Sequence, residues 1–449
     1  MSAQRAMSAR RFPRVSRIAS ASLCVSLFLF AGSVCRAQNK TPAPRWIGSW
    51  AASQQLVEPS NSLSPEDLRD ATLRQIVHLS LGGNEVRLWL SNRFGATPLH
   101  LTAVHIAHAV AANSDKIAPS TDKAVTFSGS ADVTIPPHAD YLSDPLSFPV
   151  AALSDVAVTL HLDSSPAEET GHPGSRATSY VVHGDLVSAA ELPTPQKVDH
   201  WYFLAGLDVT APPDARAIVV LGDSITDGHG ATTNGNDRWT DVLAARLEAS
   251  AATRNVAVLN HGIGGNHLLT DGLGPNALSR FDHDVIAQAG VRYLIVLEGI
   301  NDVGTLSLKG DTARADHDAL VKRIIAAYEQ IVARAHTHGI QVIGGTILPF
   351  MGSNYYHPGP ANETDRQAVN AWIRAPGHFD AVIDFDALTR DPQHPDTLLP
   401  ADDFGDHLHP SPAGYAAMGR AIPLGLFTLP AQAESASSTP TSFHAHSIF

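Results

Sequence analysis

Two textures of apolar and polar residues divide the chain. Up to about residue 205 the apolar positions come in short runs, beginning with Gln75–Leu81 and Glu85–Ser91, and Gly82-Gly83-Asn84 supplies hairpin punctuation between those two. Val125–Phe127, Val133–Ile135, Leu146–Val150, Val156–Leu162 and Ser179–Val182 continue the series, divided by Pro, Gly, Asp and Ser clusters. Strands at this spacing predict an all-β sandwich or jelly-roll-like domain over 42–212. From Arg216 onward, continuous apolar runs at Ala217–Leu221, Val256–Leu259, Tyr293–Leu297, Gln341–Thr346 and Ala381–Phe385 alternate with helical patterns. The helical patterns are Arg238–Ser250, Asp316–His336, Asp365–Ile373 and Pro412–Ala421. Unbroken apolar strands between helices predict a parallel sheet covered on both faces, an α/β domain over 213–429. Residues 430–449, rich in Ser, Thr, Ala and His, read as a flexible tail.

The ends of the chain change this picture at one place. Residues 1–37 hold six arginines and no acid, then an apolar run from Leu23 to Ala31 and a small-residue site ending at Ala37. That is the pattern of an export signal, too short for an ordinary spanning helix. It predicts a secreted product, periplasmic or extracellular. The formal charge is −13 before those arginines are removed, so the mature surface repels phosphate backbones and anionic headgroups. Nucleic-acid partners and stable membrane insertion are therefore not expected. Both cysteines, Cys24 and Cys35, fall inside the signal, which leaves the mature protein no thiol chemistry or cysteine metal site.

Four short motifs carry the chemistry, three of them at or just after the end of an apolar run. The first strand of the α/β region runs into Gly222-Asp223-Ser224, placing a serine at the edge where ligands of open α/β sheets bind. Thr226 in place of a second glycine separates this turn from the Gly-x-Ser-x-Gly elbow. Asp406-His407-Leu408-His409-Pro410 lies near the other end. A serine hydroxyl needs a base to attack, His409 can supply it, and a carboxylate three residues earlier can reach the other ring nitrogen. The same residues also read as metal ligands (Asp406, His407, His409). Between the two ends lie Asn260-His261-Gly262-Ile263-Gly264-Gly265-Asn266, flexible backbone for an oxyanion, and Glu298-Gly299-Ile300-Asn301-Asp302, which offers an amide at the same sheet edge.

In this order the four motifs resemble the four blocks of the GDSL/SGNH hydrolase family. The resemblance spans roughly Ala217 to Ala421 and implies a flavodoxin-like three-layer α/β/α domain. It makes Ser224 the nucleophile, His409 its base and Asp406 the residue that orients the base. The oxyanion hole would be the backbone N–H of Ser224, Gly265 and the Asn301 side chain, with Gly262 and Gly264 as alternatives to Gly265. No cofactor or metal is implied. Trp46-Ile47-Gly48-Ser49-Trp50, Leu73-Arg74-Gln75-Ile76-Val77 and Leu90-Ser91-Asn92-Arg93-Phe94-Gly95 resemble the β-rich region preceding some secreted bacterial members, several associated with plant-polysaccharide deacetylation.

These readings lead to a serine ester hydrolase whose partner is an O-acetylated poly- or oligosaccharide. A lipolytic or general short-chain esterase is the alternative within the class, and a non-catalytic carbohydrate-binding protein the alternative outside it. Tyr355 and Tyr356, in the segment Pro349–Pro360 after a strand of the sheet, are candidate substrate-stacking residues. Trp239 and Trp372 sit in helical patterns and are expected in the core.

Overall fold

The computed structural model describes residues 45–428 other than 309 and 311; the expected export signal over 1–37 and the tail over 430–449 lie outside them. The later half is built on a five-stranded parallel sheet of Arg216–Gly222, Val256–Gly262, Val291–Leu297, Gln341–Gly345 and Ala381–Ile383. All seven residues of the first strand are buried, which is why its sequence shows no alternation. Counted along the chain, the strand order is 2-1-3-4-5, the flavodoxin-like arrangement. The chain moves one way from the first strand to the second and the other way thereafter. Right-handed crossovers then put helix Trp239–Ala249 on one face and Arg314–Thr337 on the other. Trp239 packs on Phe385 with ring centres 5.4 Å apart, and Tyr328 stacks on Trp372 at 6.0 Å, joining Arg314–Thr337 to helix Pro360–Arg374.

Register decides where the site can form. Gly222, the last residue of the first strand, pairs with Gly262 on one side and Leu297 on the other. Three carboxyl ends are thus flush, and the loops carrying Ser224, Gly265 and Asn301 leave the same edge side by side. This is the switch point at which ligands of such sheets bind.

The first half is antiparallel. Arg45–Ala51, Leu204–Ala211, Gly83–Ser91 and Leu146–Val150 lie in that order in one sheet, with Asp140–Leu142 also paired to Gly83–Ser91. A six-stranded sheet centres on Ala71–His78 and Asp155–Leu162. This half covers the open edge of the parallel sheet, a place where unpaired backbone must be capped. Val258 N of the edge strand Val256–Gly262 donates to Ser80 Oγ at 3.0 Å, and Gly48 N donates to Ala289 O, in the turn before Val291–Leu297, at 2.9 Å. Gly48 lets the strand approach closely, since a Cβ there would stand 2.8 Å from Leu259 Cδ1. One apolar core runs from Ile47 to Phe427 through both halves.

Several elements depart from the sequence reading. Val125–Phe127 is not a strand; only Lys123–Ala124 pairs, beside an isolated Phe127–Ser130 bridge. The last parallel strand stops at Ile383, because Asp384 caps the N–H of Ala387 and Phe385–Thr389 turns helical. Leu204–Ala211 was hidden by Gly206 and Asp208; the buried Asp208 carboxylate takes hydrogen bonds from Arg87 at 2.8 Å and Trp89 at 3.0 Å.

Candidate active site

Ser224 opens a four-residue helical turn directly after the first parallel strand. Asp223 makes the turn possible by accepting the N–H of Ile225 at 2.9 Å, and Gly228 closes it at φ 97°. The Ser224 Oγ lies 2.8 Å from His409 Nε2, and His409 Nδ1 lies 2.6 Å from Asp406 Oδ2. The second oxygen of Asp406 accepts the backbone N–H of His409 at 2.9 Å and of Leu408 at 3.0 Å, so a three-residue turn presents the carboxylate to its own histidine. Burial pushes the Asp406 carboxyl up. The hydrogen bond and charge of His409 and the two N–H donors outweigh it, holding the group well below the usual carboxylate range. Serine and histidine are 7 % and 8 % exposed, enough for a substrate to reach them.

His407 does not join this group. Its left-handed backbone, φ 60°, turns the ring outward to Asp403 Oδ2 at 2.7 Å, so the Asp406/His407/His409 ligand set is not assembled. Among the described residues, the His229, Asp406 and His409 side chains bring one ligand-type atom each within 4.8 Å of one another.

The glycine turn and Asn301 meet beside Ser224. Gly262 N is occupied by Asn260 Oδ1 at 2.9 Å, whereas Ser224, Gly264 and Gly265 N–H have no acceptor among the described residues. Gly262 is thereby set aside as a donor, and Gly265, at φ 68°, has a conformation that favours glycine. Asn301 Nδ2 donates to Asn266 O at 2.7 Å, which seats the amide against the residue following Gly265. Its other amide hydrogen has no protein acceptor among the described residues. Asp302 accepts Leu268 N at 2.8 Å and Leu269 N at 3.1 Å, pinning the loop beyond.

Two tyrosines divide in role. Tyr355 is 67 % exposed, but Tyr356 is 4 % exposed, packed on Phe350, and has no face for a substrate. The stacking expectation for Tyr356 is corrected: its hydroxyl reaches Asn301 Oδ1 at 2.6 Å. Because Asn266 O can only accept, the Asn301 NH₂ must face it, and Tyr356 must donate to the oxygen.

Beneath the loops lies a buried network that the sequence did not reveal. Arg280 donates to Gly222 O at 3.0 Å, His261 O at 2.7 Å, Asn266 Oδ1 at 2.8 Å and Glu298 Oε1 at 3.3 Å, tying three strand ends together. Its setting, Ser279-Arg280-Phe281-Asp282-His283-Asp284, is polar and gives no sequence signal of burial. Burial first, then the neighbouring carboxylates, raises Asp223 to about 7 and Glu298 well above the ordinary range; Glu298 Oε2 has no partner among the described residues. A carboxyl raised on folding contributes stability that is full below about pH 4 and lost as pH rises through the folded pKa. Glu298→Gln is therefore expected to melt higher than the parent at pH 8, with the difference shrinking toward pH 5 in paired thermal scans.

The β-rich half also reaches the Ser224 turn. His172 Nε2 meets Asp227 Oδ1 at 2.8 Å, and Gly174 packs so closely that a Cβ would stand 1.8 Å from Asp227 Oδ2. Arg238 donates to Asp227 O at 2.7 Å and also to Ser175 O. Arg176 contacts His229, whose ring centre is 4.1 Å from that of His409. No sequence motif marks these contacts, because each partner is distant along the chain.

Residues 220–417 match the model of the GDSL-like Lipase/Acylhydrolase family. No curated protein matches the chain. Similar solved structures include a lipolytic protein of the G-D-S-L family from Desulfitobacterium hafniense, at 21 % identity over 46 % of this chain and 96 % of that one, TM-score 0.34. A GDSL-like lipase from Bacteroides thetaiotaomicron has 20 % identity over 46 % and 85 %, TM-score 0.34. A catalytic mutant of an acetylxylan esterase from Geobacillus stearothermophilus has 22 % identity over 46 % and 91 %, TM-score 0.34.

Proposed function

We propose, from the membership of residues 220–417 in the GDSL-like lipase/acylhydrolase family, that this chain hydrolyses carboxylic esters through an acyl-serine on Ser224. The observation that carries the reading is the unbroken relay from Ser224 Oγ through His409 to Asp406, at 2.8 Å and 2.6 Å. His409 Nε2 takes the hydroxyl proton as Oγ bonds to the ester carbonyl carbon. It returns that proton to the alcohol oxygen as the ester C–O bond breaks, and a water repeats the cycle to free the acid and Ser224. Asp406 keeps the tautomer and stabilises the imidazolium. The N–H groups of Ser224 and Gly265 and the Asn301 amide receive the tetrahedral oxyanion.

The substrate of this reading is an O-acetyl group on a poly- or oligosaccharide, handled after export by the N-terminal segment. Its support is the likeness of the β-rich segments to those preceding some secreted bacterial members, several associated with plant-polysaccharide deacetylation, with the exposed Tyr355 ring available to a sugar face. Acetate release from acetylated xylan and pectin, run beside a 4-nitrophenyl ester series, tests it. The reading expects acetyl esters to be fastest and acetate to be freed from at least one polymer. Rates that climb with acyl length, with both polymers untouched, would transfer the chain to the lipolytic alternative.

Tyr356 sharpens the reading. Without its hydroxyl, Asn301 keeps only Asn266 O to fix the amide plane. Tyr356→Phe should lower kcat by about tenfold, the worth of one hydrogen bond, and leave KM near the parent value. A role in packing alone would instead lower the melting temperature and leave kcat unchanged, so saturation kinetics and a melt on one preparation separate the two.

A further inference from the structure

We infer that His229 is a substrate-binding residue that donates its Nε2–H to an oxygen on the alcohol side of the ester, held ready by Arg176 of the β-rich half. The inference rests on the acyl-serine reading and adds to it a preference for the leaving alcohol.

Arg176 Nη2 lies 3.1 Å from His229 Nδ1. A guanidinium only donates, so Nδ1 must accept, and the one proton of the neutral ring sits on Nε2. Burial, the neighbouring His409 and the Arg176 charge together push His229 down to about 4, so it stays neutral at working pH. Among the described residues its Nε2–H has no acceptor, and the ring is only partly buried. The backbone is fixed at both ends: His229 N donates to Ser224 O at 2.9 Å, and Tyr415 Oη donates to His229 O at 2.6 Å. The ring lies between His409, 4.1 Å away, and the exposed Phe404, 5.7 Å away and edge-on.

Position gives this donor its partner. His409 delivers its proton to the departing alcohol oxygen, so a group packed against His409 borders the alcohol and not the acyl chain. A neutral N–H there can serve an alcohol that bears a further oxygen near the ester, as a polyol or sugar does. To a phenol it offers nothing. Arg176 itself is anchored by Asn234 N donating to its carbonyl at 2.8 Å, next to the His172–Asp227 and Ser175–Arg238 clamps. The β-rich half thus completes the leaving-group side of the site.

Three esters of one acid test this: phenyl acetate, glyceryl monoacetate and an acetylated xylo-oligosaccharide. His229→Phe keeps an aromatic ring and removes the donor. Its kcat/KM on glyceryl monoacetate should fall about tenfold while phenyl acetate stays within about twofold, the scale of one lost hydrogen bond. His229→Gln, whose amide can place an N–H near the Nε2 position, should recover most of the loss. Arg176→Met should lose activity in the same selective direction. Equal losses on phenyl and glyceryl esters, or no loss on the glyceryl ester, would overturn the inference. A parent enzyme that cleaves glyceryl monoacetate but not the xylo-oligosaccharide would remove the carbohydrate reading and leave His229 tested. A parent inactive on all three would remove the esterase reading and this inference with it.

Discussion

Ser224→Ala should abolish ester hydrolysis, with kcat falling by roughly four to six orders of magnitude in protein that still folds. The expectation comes from how the site divides its labour. Ser224, His409 and Asp406 form one hydrogen-bonded chain, so removing the hydroxyl leaves the base with nothing to deprotonate. Loss of either serine or histidine then costs about as much as loss of both, and the double variant Ser224→Ala/His409→Ala should be no slower than the single ones. The alanine should fold because the turn is held by groups other than the hydroxyl, namely Asp223 on Ile225 N and the Asp227 clamps to the β-rich half. Single-turnover assays with a melt on the same sample check both parts. Residual catalysis within a hundredfold of the parent would show that Ser224 is not the nucleophile.

Asn301→Ala has the next largest expected effect, a fall in kcat of about a hundredfold to a thousandfold with KM little changed, as for other single oxyanion donors. An amide that strengthens its hydrogen bond as charge develops stabilises the transition state more than the bound ester. The surroundings of Asn301 give that expectation its sharpness. Asn266 O and Tyr356 Oη occupy one amide hydrogen and the carbonyl, which leaves the second hydrogen for the substrate. Asn301→Asp should be at least as slow, because it sets a negative oxygen where the oxyanion forms and faces Asn266 O without a donor. A destabilised Asn301→Ala enzyme with the parent kcat would instead assign Asn301 to bracing the loop beside Asp302.

The two halves of the molecule differ in how far they could be read from residues alone. Parallel strands buried on both faces leave continuous apolar runs, so Ala217–Leu221 and Tyr293–Leu297 mark the strands on which the site is built to within two residues. Three of the loop motifs sit at or just past such runs, and the strand order brings their ends together. The antiparallel half carries weaker signals. Thr170–His172 and Trp201–Tyr202 are too short to show a period, and Leu204–Ala211 is interrupted by a buried aspartate that its partners Arg87 and Trp89 explain. Interactions between distant positions outside the four motifs were beyond reach for the same reason. Nothing local to Tyr356 announces that its hydroxyl meets Asn301, or that Arg176 meets His229, and Arg280 shows its role only once three strand ends converge on it. Residues acting through backbone turns were legible. Those pairing at long range outside the four motifs were not.

The central claim is that Ser224 is an activated nucleophile, and covalent labelling tests it without any assumption about substrate. The protein is treated with a fluorophosphonate, weighed intact, then digested and mapped. A nucleophile activated by His409 predicts one adduct, located on Ser224, formed rapidly in the parent, slowly in His409→Ala and not at all in Ser224→Ala. An unlabelled parent, or an adduct on any residue other than Ser224, would contradict the account.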